Sequence, residues 1–96
     1  MSRKELTWED VKKELSFTPE ELEEIRLEEE IIEATINIRK SAQLTQRDLS
    51  KISGIKQPAI ARLESNAVSP QILTLIKLLY PMGYTLKVVP LVERKK

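Results

Sequence analysis

The sequence predicts an all-α fold, a bundle of about five helices, followed by a short C-terminal β-strand. Apolar residues recur at three- and four-residue spacing through most of the 96 residues, and N-cap residues precede several of these segments. The strand is predicted at residues 84–89, where β-branched and aromatic residues follow the helix-stopping Pro81 and Gly83. With 41% hydrophobic residues the chain can bury one modest core, so we expect a single domain.

The helix starts follow from the cap patterns. Thr18 is followed by Pro19 and then by Glu21 at the third helical position, and Thr45 is followed in the same way by Asp48. The predicted N-caps are Thr7, Thr18, Thr45, Lys56 and Ser69, of which lysine is a poor cap. They divide the chain into an arm with a short helix (residues 1–17), a helical domain (residues 18–80), and a C-terminal strand with a charged tail (residues 81–96).

The predicted long helix, residues 19–41, has two apolar stripes at about 100° per residue. The first stripe contains Leu27, Ile31, Ala34, Ile38 and Ala42, and the second contains Ile25, Ile32 and Ile36. One stripe must cover the core of the domain. The other is either a broad edge of the same core or a contact with another chain, and we favour a partner because the flanking residues are acidic.

Charge is distributed unevenly, although the formal net charge is only +1. Residues 1–36 carry 5 Lys and Arg against 12 Asp and Glu, a balance of −7, whereas residues 37–96 carry 11 against 3, a balance of +8. A polyanion is attracted to the second part and repelled by the first. We therefore expect two surfaces for two kinds of partner, unless the acidic helix is simply solvated.

The composition argues against several classes of protein. Histidine and cysteine are absent, which removes the usual zinc ligands, the commonest general base and disulfide chemistry. No run of about 18 apolar residues is present, and the basic start has no apolar stretch behind it, so neither a membrane span nor a signal peptide is predicted. We expect a cytoplasmic protein without enzyme activity, cofactor or metal.

The stretch QRDLSKISGIKQPAIARLES, residues 46–65, predicts two short helices that meet at Gly54, which tolerates the positive φ of a tight turn. Their apolar positions converge on one small core: Leu49, Ile52, Ile55, Ile60 and Leu63. The remaining side chains of the second helix then face outward, where in a DNA major groove an amide pairs with adenine and a guanidinium with guanine or a phosphate. The candidate DNA contacts are Gln46, Lys56, Gln57, Pro58, Ala61 and Arg62.

Three motifs, LTQRDLS (residues 44–50), GIKQPAIARLE (54–64) and SPQILTLIKL (69–78), resemble the Xre, or lambda-repressor-like, family of helix-turn-helix DNA-binding domains. The resemblance covers residues 31–83 and implies a structural pair between Arg39 and Glu64, with DNA contacts from the candidates above. Lys56 departs from the Ser or Thr that usually caps the recognition helix in this family. Asn66 replaces the usual glycine after that helix, and asparagine also accepts a left-handed conformation.

Further motifs narrow the resemblance. WEDVKKEL (residues 8–15), FTPEEL (17–22), QPAIARLE (57–64) and TLKVVPL (85–91) together look like the HigA-type antitoxins over nearly the whole chain. This implies a prokaryotic homodimer that represses its own operon and neutralises a RelE/HigB-like toxin, an mRNA-cleaving ribonuclease with a basic surface. The acidic N-terminal part suits such a partner. The hypothesised toxin contacts are Trp8, Val11, Leu15, Ile25, Glu28, Glu29, Ile32 and Glu33.

The predicted strand also suggests how two copies meet. A single strand cannot satisfy its own backbone donors and acceptors, so its simplest partner is the same strand of a second subunit. Tyr84, Leu86 and Val88 are the predicted dimerisation residues, together with the fourth main helix. A two-fold dimer would place its recognition helices in successive major grooves of a palindromic site, with half-sites about one helical turn apart.

Alternatives to the antitoxin hypothesis stay open. A stand-alone Xre-type repressor would keep the DNA-contacting residues, but its acidic arm would bind nothing. An enzyme or a purely structural adaptor would leave Gln57 and Arg62 without a role. Trp8 is either a core residue or an aromatic anchor for a protein partner.

Overall fold

A computed structural model describes residues 16–91, and this part of the chain forms four α-helices and one 3-10 helix. The α-helices are α1 (Pro19–Ser41), α2 (Gln46–Ser53), α3 (Gln57–Glu64) and α4 (Ile72–Leu79), and the 3-10 helix Tyr80–Met82 follows α4 directly. The predicted short helix after Thr7 lies outside the described residues. Among the helices of residues 16–91, none is long and apolar enough to cross a membrane.

The bounds predicted for the long helix are confirmed. The Glu21 backbone N–H donates to Thr18 Oγ1 at 3.1 Å, and the Thr18 backbone N–H donates to Glu21 Oε1 at 2.9 Å, which completes the capping box. Pro19 occupies the first turn, where its missing N–H has no helical partner to lose. After Ser41 the chain turns at Gln43, which has a φ of 61°.

The buried face of α1 shows which of the two stripes covers the core. Ile32, Thr35 and Arg39 are its buried residues, so the core face follows the second stripe and includes two polar side chains. Within the first stripe, Leu27, Ala34 and Ala42 are exposed, and Ile31 and Ile38 are partly buried. The side chain of Ile32 is therefore enclosed by its own chain. It is not available to a toxin, contrary to the hypothesis above.

Helices α2 and α3 form the predicted helix-turn-helix. Thr45 caps α2 in a second capping box with Asp48, and Gly54 ends α2 with a φ of 80°. The hydroxyl of Ser50 donates to the Ile55 carbonyl at 2.6 Å, which holds the turn against α2. Ile52 was predicted in the small core, but it is 49% exposed and lies outside it.

One hydrophobic core fixes the helices to each other. Its buried members come from all four α-helices: Ile32, Leu49, Ile60, Leu63, Leu75 and Leu78. Ile55, Met82 and Leu86 pack against this cluster while keeping part of their surface exposed. Because two buried residues of α3 belong to the cluster, the rotation of α3 about its axis is set by the core.

Helix α4 begins later than the cap pattern predicted. Ser69 was expected to be its N-cap, but the helix starts at Ile72 after Gln71. The hydroxyl of Ser69 instead donates a hydrogen bond to the Glu28 carboxylate on α1, so a tertiary contact takes the group that would have capped the helix. The predicted stop is confirmed: Pro81 lies in the 3-10 helix, and Gly83 ends it with a φ of 88°.

The C-terminal strand is not confirmed in the described part of the chain. Residues 84–91 have no assigned secondary structure. The Tyr84 backbone N–H bonds to the Leu79 carbonyl at 3.0 Å, and Leu86 packs on the core. A strand needs a ladder partner, and within residues 16–91 none pairs with residues 84–91.

Candidate nucleic-acid interface

The exposed face of α3 is where the sequence predicted DNA recognition. Ile60 and Leu63 are 1% and 2% exposed, so this face of α3 lies in the core. Lys56, Gln57, Pro58 and Arg62 are exposed, and Ala61 is partly buried. Because the opposite face of α3 is packed in the core, the amide of Gln57 and the guanidinium of Arg62 lie on its exposed side. Both groups can read base edges or bind phosphate.

The start of α3 is open at its N-terminus. Lys56 occupies the N-cap position with an extended backbone, and its side chain makes no cap hydrogen bond. The first backbone N–H groups of a helix are unsatisfied within the helix and favour anions. Pro58 removes one of these donors but lies in the first turn, where the loss breaks no helical bond. The exposed Lys56 adds a positive charge at the same end.

Gln46 does not lie free at the start of α2. It is partly buried, and its Nε2 donates to Glu64 Oε1 at 2.9 Å. The bond joins the first residue of α2 to the last residue of α3. The sequence predicted Gln46 as a DNA contact and did not predict this bond, which only the packed helices bring together.

The expected structural pair of Arg39 and Glu64 is present. Arg39 Nε contacts Glu64 Oε2 at 2.7 Å and Arg39 Nη2 contacts Oε1 at 3.0 Å, a bidentate pair whose side chains are 11% and 9% exposed. Arg39 Nη1 also donates to the Leu44 carbonyl at 2.7 Å, which fixes the loop between α1 and α2. Burial alone would raise the pKa of Glu64, but hydrogen bonds from Arg39 and Gln46 outweigh it, so the pKa lies below its usual value.

Only some of the hypothesised toxin contacts lie on α1, within the described residues. Glu28 and Glu33 are exposed and Glu29 is partly buried, while Ile25 lines a cavity of about 600 Å³ beneath the loop that joins α3 and α4. Trp8, Val11 and Leu15 lie outside the described residues. Two exposed apolar residues of this acidic half were not among the hypothesised toxin contacts: Leu22 and Leu27 are 42% and 49% exposed. Leu27 belongs to the first stripe, but the sequence did not show which stripe the core would cover.

The residues predicted for dimerisation differ in exposure. Tyr84 and Val88 are exposed, whereas Leu86 is partly buried against the core of its own chain. The fourth main helix, also predicted in the contact, presents an exposed apolar face. It consists of Ile72, Leu73, Ile76 and the following Tyr80, which were not among the predicted dimerisation residues.

The fold and this face define a DNA-binding protein of the helix-turn-helix class. A helix-turn-helix family profile matches residues 36–88, more than half of the chain. The chain is 40% identical over 84 residues to an uncharacterized HTH-type transcriptional regulator of Haemophilus influenzae, which covers 88% of this chain and 85% of that protein. This chain therefore belongs to the Xre-type helix-turn-helix family of transcriptional regulators, which is normally non-enzymatic.

A solved structure is also similar. It is described as a toxin-antitoxin module from Streptococcus pneumoniae, and the match has a TM-score of 0.66 at 40% identity. The match covers 91% of this chain and 96% of that one. The similarity thus extends over nearly the full length of both chains, well beyond the helix-turn-helix itself.

Proposed function

We propose that this protein is the antitoxin of a type II toxin-antitoxin pair, which neutralises a RelE/HigB-like mRNA-cleaving toxin and represses its own operon as a homodimer on palindromic DNA. The observation that carries the proposal is that one chain has two exposed surfaces, one basic and one acidic. An exposed recognition face lies on α3, and a run of exposed carboxylates lies on the first half of α1. Since its target is the operon that encodes it, the protein would act in the cytoplasm, bound to the nucleoid.

The DNA side of the proposal rests on the α3 face and its charge. Gln57 and Arg62 would contact bases or phosphates, while Lys56 and Gln46 would contact phosphates at the starts of α3 and α2. Residues 37–96 carry the positive balance of the chain, which favours a polyanion at this end. Two copies would be needed to read two half-sites.

The toxin side rests on α1 and on the similarity to a toxin-antitoxin module. Glu28 and Glu33 are exposed acids on a helix that also exposes Leu22 and Leu27, so a basic partner would find both charge and apolar area there. We leave Ile32 out of this surface because its side chain is buried, and we keep Ile25, Glu29, Trp8, Val11 and Leu15 as hypothesised contacts.

A growth experiment tests the toxin side, and DNA binding by the same variants tests the DNA side. The small open reading frame adjacent to the gene is expressed with and without this protein, and we expect growth arrest that this protein relieves. Glu33→Lys should weaken the relief and leave DNA binding intact; Glu28 is left unchanged because its carboxylate also accepts a hydrogen bond from Ser69. Arg62→Ala should weaken DNA binding and leave the relief intact. Arg26→Ala is the matched control for Arg62, because Arg26 is a basic residue of the acidic half, bonded to Glu23 and Glu30.

The outcomes separate this proposal from a repressor without a toxin. If the neighbouring product is harmless and does not co-purify with this protein, a stand-alone repressor is the better description. The name of the Haemophilus influenzae relative, an HTH-type transcriptional regulator, fits that description as well. If Arg62→Ala leaves both DNA affinity and its salt dependence unchanged, the recognition surface is not on α3.

A further inference from the structure

The family resemblance implied one partner for the Glu64 carboxylate, Arg39, and the structure gives it a second. Its Oε1 accepts from Arg39 Nη2 at 3.0 Å and from Gln46 Nε2 at 2.9 Å, while Oε2 accepts from Arg39 Nε at 2.7 Å. The cluster ties together the end of α1, the start of α2 and the end of α3. The side chain of Glu64 is 9% exposed, so these bonds are largely shielded from water.

The amide of Gln46 has a donor left over. A primary amide carries two N–H groups on its nitrogen, and Glu64 accepts from that nitrogen through one oxygen. Gln46 is the first residue of α2; Thr45 Oγ1 holds the N–H of Asp48, and the N–H groups of Gln46 and Arg47 precede the first helical hydrogen bond. Such a helix start favours a phosphate oxygen, to which the second amide N–H can also donate.

We propose that Glu64 is a positioning residue for DNA binding: it holds one N–H of the Gln46 amide, so that the second N–H is presented to a DNA phosphate at the start of α2. This rests on the proposed DNA-binding function. A glutamine side chain free in solution loses rotamer freedom when it binds, whereas a tethered one has lost that freedom on folding, so binding costs less entropy.

Arg39 makes this arrangement compatible with a polyanion. An uncompensated carboxylate at the end of the recognition helix would repel phosphates. The bidentate contact with Arg39 balances that charge inside the protein. Glu64 can thus orient Gln46 without adding an uncompensated negative charge of its own to this side.

The test is a double-mutant cycle on DNA affinity, with Gln46→Ala, Glu64→Asp and the combined variant. The probe is a duplex that the wild-type protein selects from a random pool, measured at about 50 mM salt. Aspartate keeps the charge beside Arg39 but is one methylene shorter, so it cannot hold both partners. We expect each single variant to bind about threefold to tenfold more weakly. The combined variant should bind no more weakly than the worse single one.

Two readouts separate positioning from a structural role. If Glu64→Asp acts only by loosening α3, the two losses multiply, and the proposal is overturned. Because Gln46 is uncharged, the slope of affinity against salt should stay the same in the cycle, whereas Arg62→Ala should reduce it by about 1. If Arg62→Ala weakens binding and Gln46→Ala does not, the DNA-binding function stands and this inference fails. If the wild type selects no duplex, both fail.

A measurement on the unmodified protein does not depend on whether any variant folds. In ¹⁵N-labelled wild-type protein, one side-chain amide proton of Gln46 should exchange slowly with water without DNA. The second should become protected only when the selected duplex is added. Two freely exchanging protons in the free protein, or a second proton unaffected by the duplex, would overturn the proposal.

Discussion

Among single residues, Glu64 joins folding to the proposed binding face because its carboxylate lies at the last turn of α3 and bonds to Arg39 on α1. Hydrogen-bond donors around a buried carboxylate stabilise its ionised form, which is why the pKa of Glu64 lies below the usual value despite its burial. The folded protein therefore binds this proton less readily than the unfolded chain does. The stability from Glu64 is present above the unfolded pKa and is lost as the pH falls through the folded pKa.

Comparison with Glu64→Gln measures this contribution. We expect the variant to be about 1.5 to 3 kcal/mol less stable at neutral pH, because charged hydrogen bonds in a shielded site become neutral ones. The difference from wild type should shrink as the pH falls below the usual pKa of glutamate and through the lowered pKa of folded Glu64, since the wild type then protonates Glu64 as well. Thermal melting across that range checks it, with the exposed Glu33→Gln as the charge-matched control. A difference that stays constant into the acid range would contradict it.

Single residues also show what the sequence could predict and what it could not. Thr18 and Thr45 were predicted as caps and act as caps, because their partners Glu21 and Asp48 are local in the chain. Ser69 carries an equally good cap pattern, yet its hydroxyl bonds to Glu28, a residue 41 positions away. The hydrogen bond from Gln46 to Glu64 was missed for the same reason, since it spans 18 positions.

At the scale of elements, α1 shows how a periodic pattern underdetermines burial. Its bounds followed from the sequence, but the face that packs did not. The core face contains Thr35, whose hydroxyl donates to the Ile31 carbonyl at 2.8 Å, and the paired Arg39. Both polar groups are buried because each finds a partner, which a count of apolar residues does not register.

A substitution at the N-cap of the recognition helix α3 should change stability and DNA affinity in opposite directions. Lys56 is its N-cap without a side-chain cap bond. Lys56→Ser should add about 0.5 to 1 kcal/mol of stability because serine can accept from a first-turn N–H. The same change removes a positive charge from the proposed DNA face, so DNA affinity should fall and its salt slope should decrease by about 1.

Lys56→Ala separates the two effects, because alanine removes the charge without supplying a cap. It should lose DNA affinity to the same extent as Lys56→Ser but gain no stability. Melting curves and duplex titrations at several salt concentrations measure both quantities. Equal stability of the two variants would contradict the capping account, and wild-type affinity in both would remove Lys56 from the DNA face.

At the scale of the whole molecule, charge and exposed apolar surface divide into separate regions. The carboxylates lie on the first half of α1, the recognition face lies on α3, and α4 exposes Ile72, Leu73, Ile76 and the adjoining Tyr80. Isolated exposed apolar residues are ordinary, but three on one face of a short helix, with a fourth directly after it, indicate a contact surface. The exposed Tyr84 and Val88 follow closely in the chain.

This arrangement predicts a two-fold dimer through the α4 face together with residues 84–88. In a two-fold interface each substitution is made on both subunits, so its effect is counted twice. Leu73 is 59% exposed in the single chain, and burying such a side chain contributes about 1.5 to 3 kcal/mol. Leu73→Glu should thus weaken dimerisation by at least about a hundredfold, with a parallel loss of affinity for a palindromic duplex.

Sedimentation of matched variants decides which part of this surface carries the dimer. Val88→Glu tests the C-terminal segment, and Leu22→Glu is the control on the acidic half of α1, where a further carboxylate should leave the dimer intact. If Leu73→Glu dissociates the dimer and Val88→Glu does not, α4 carries the contact and residues 84–91 stay without a ladder partner. If Val88→Glu alone dissociates it, the strand predicted from the sequence forms between subunits. Dimers that survive both changes would mean that the two-fold contact lies elsewhere, and the half-site geometry would have to follow from that other surface.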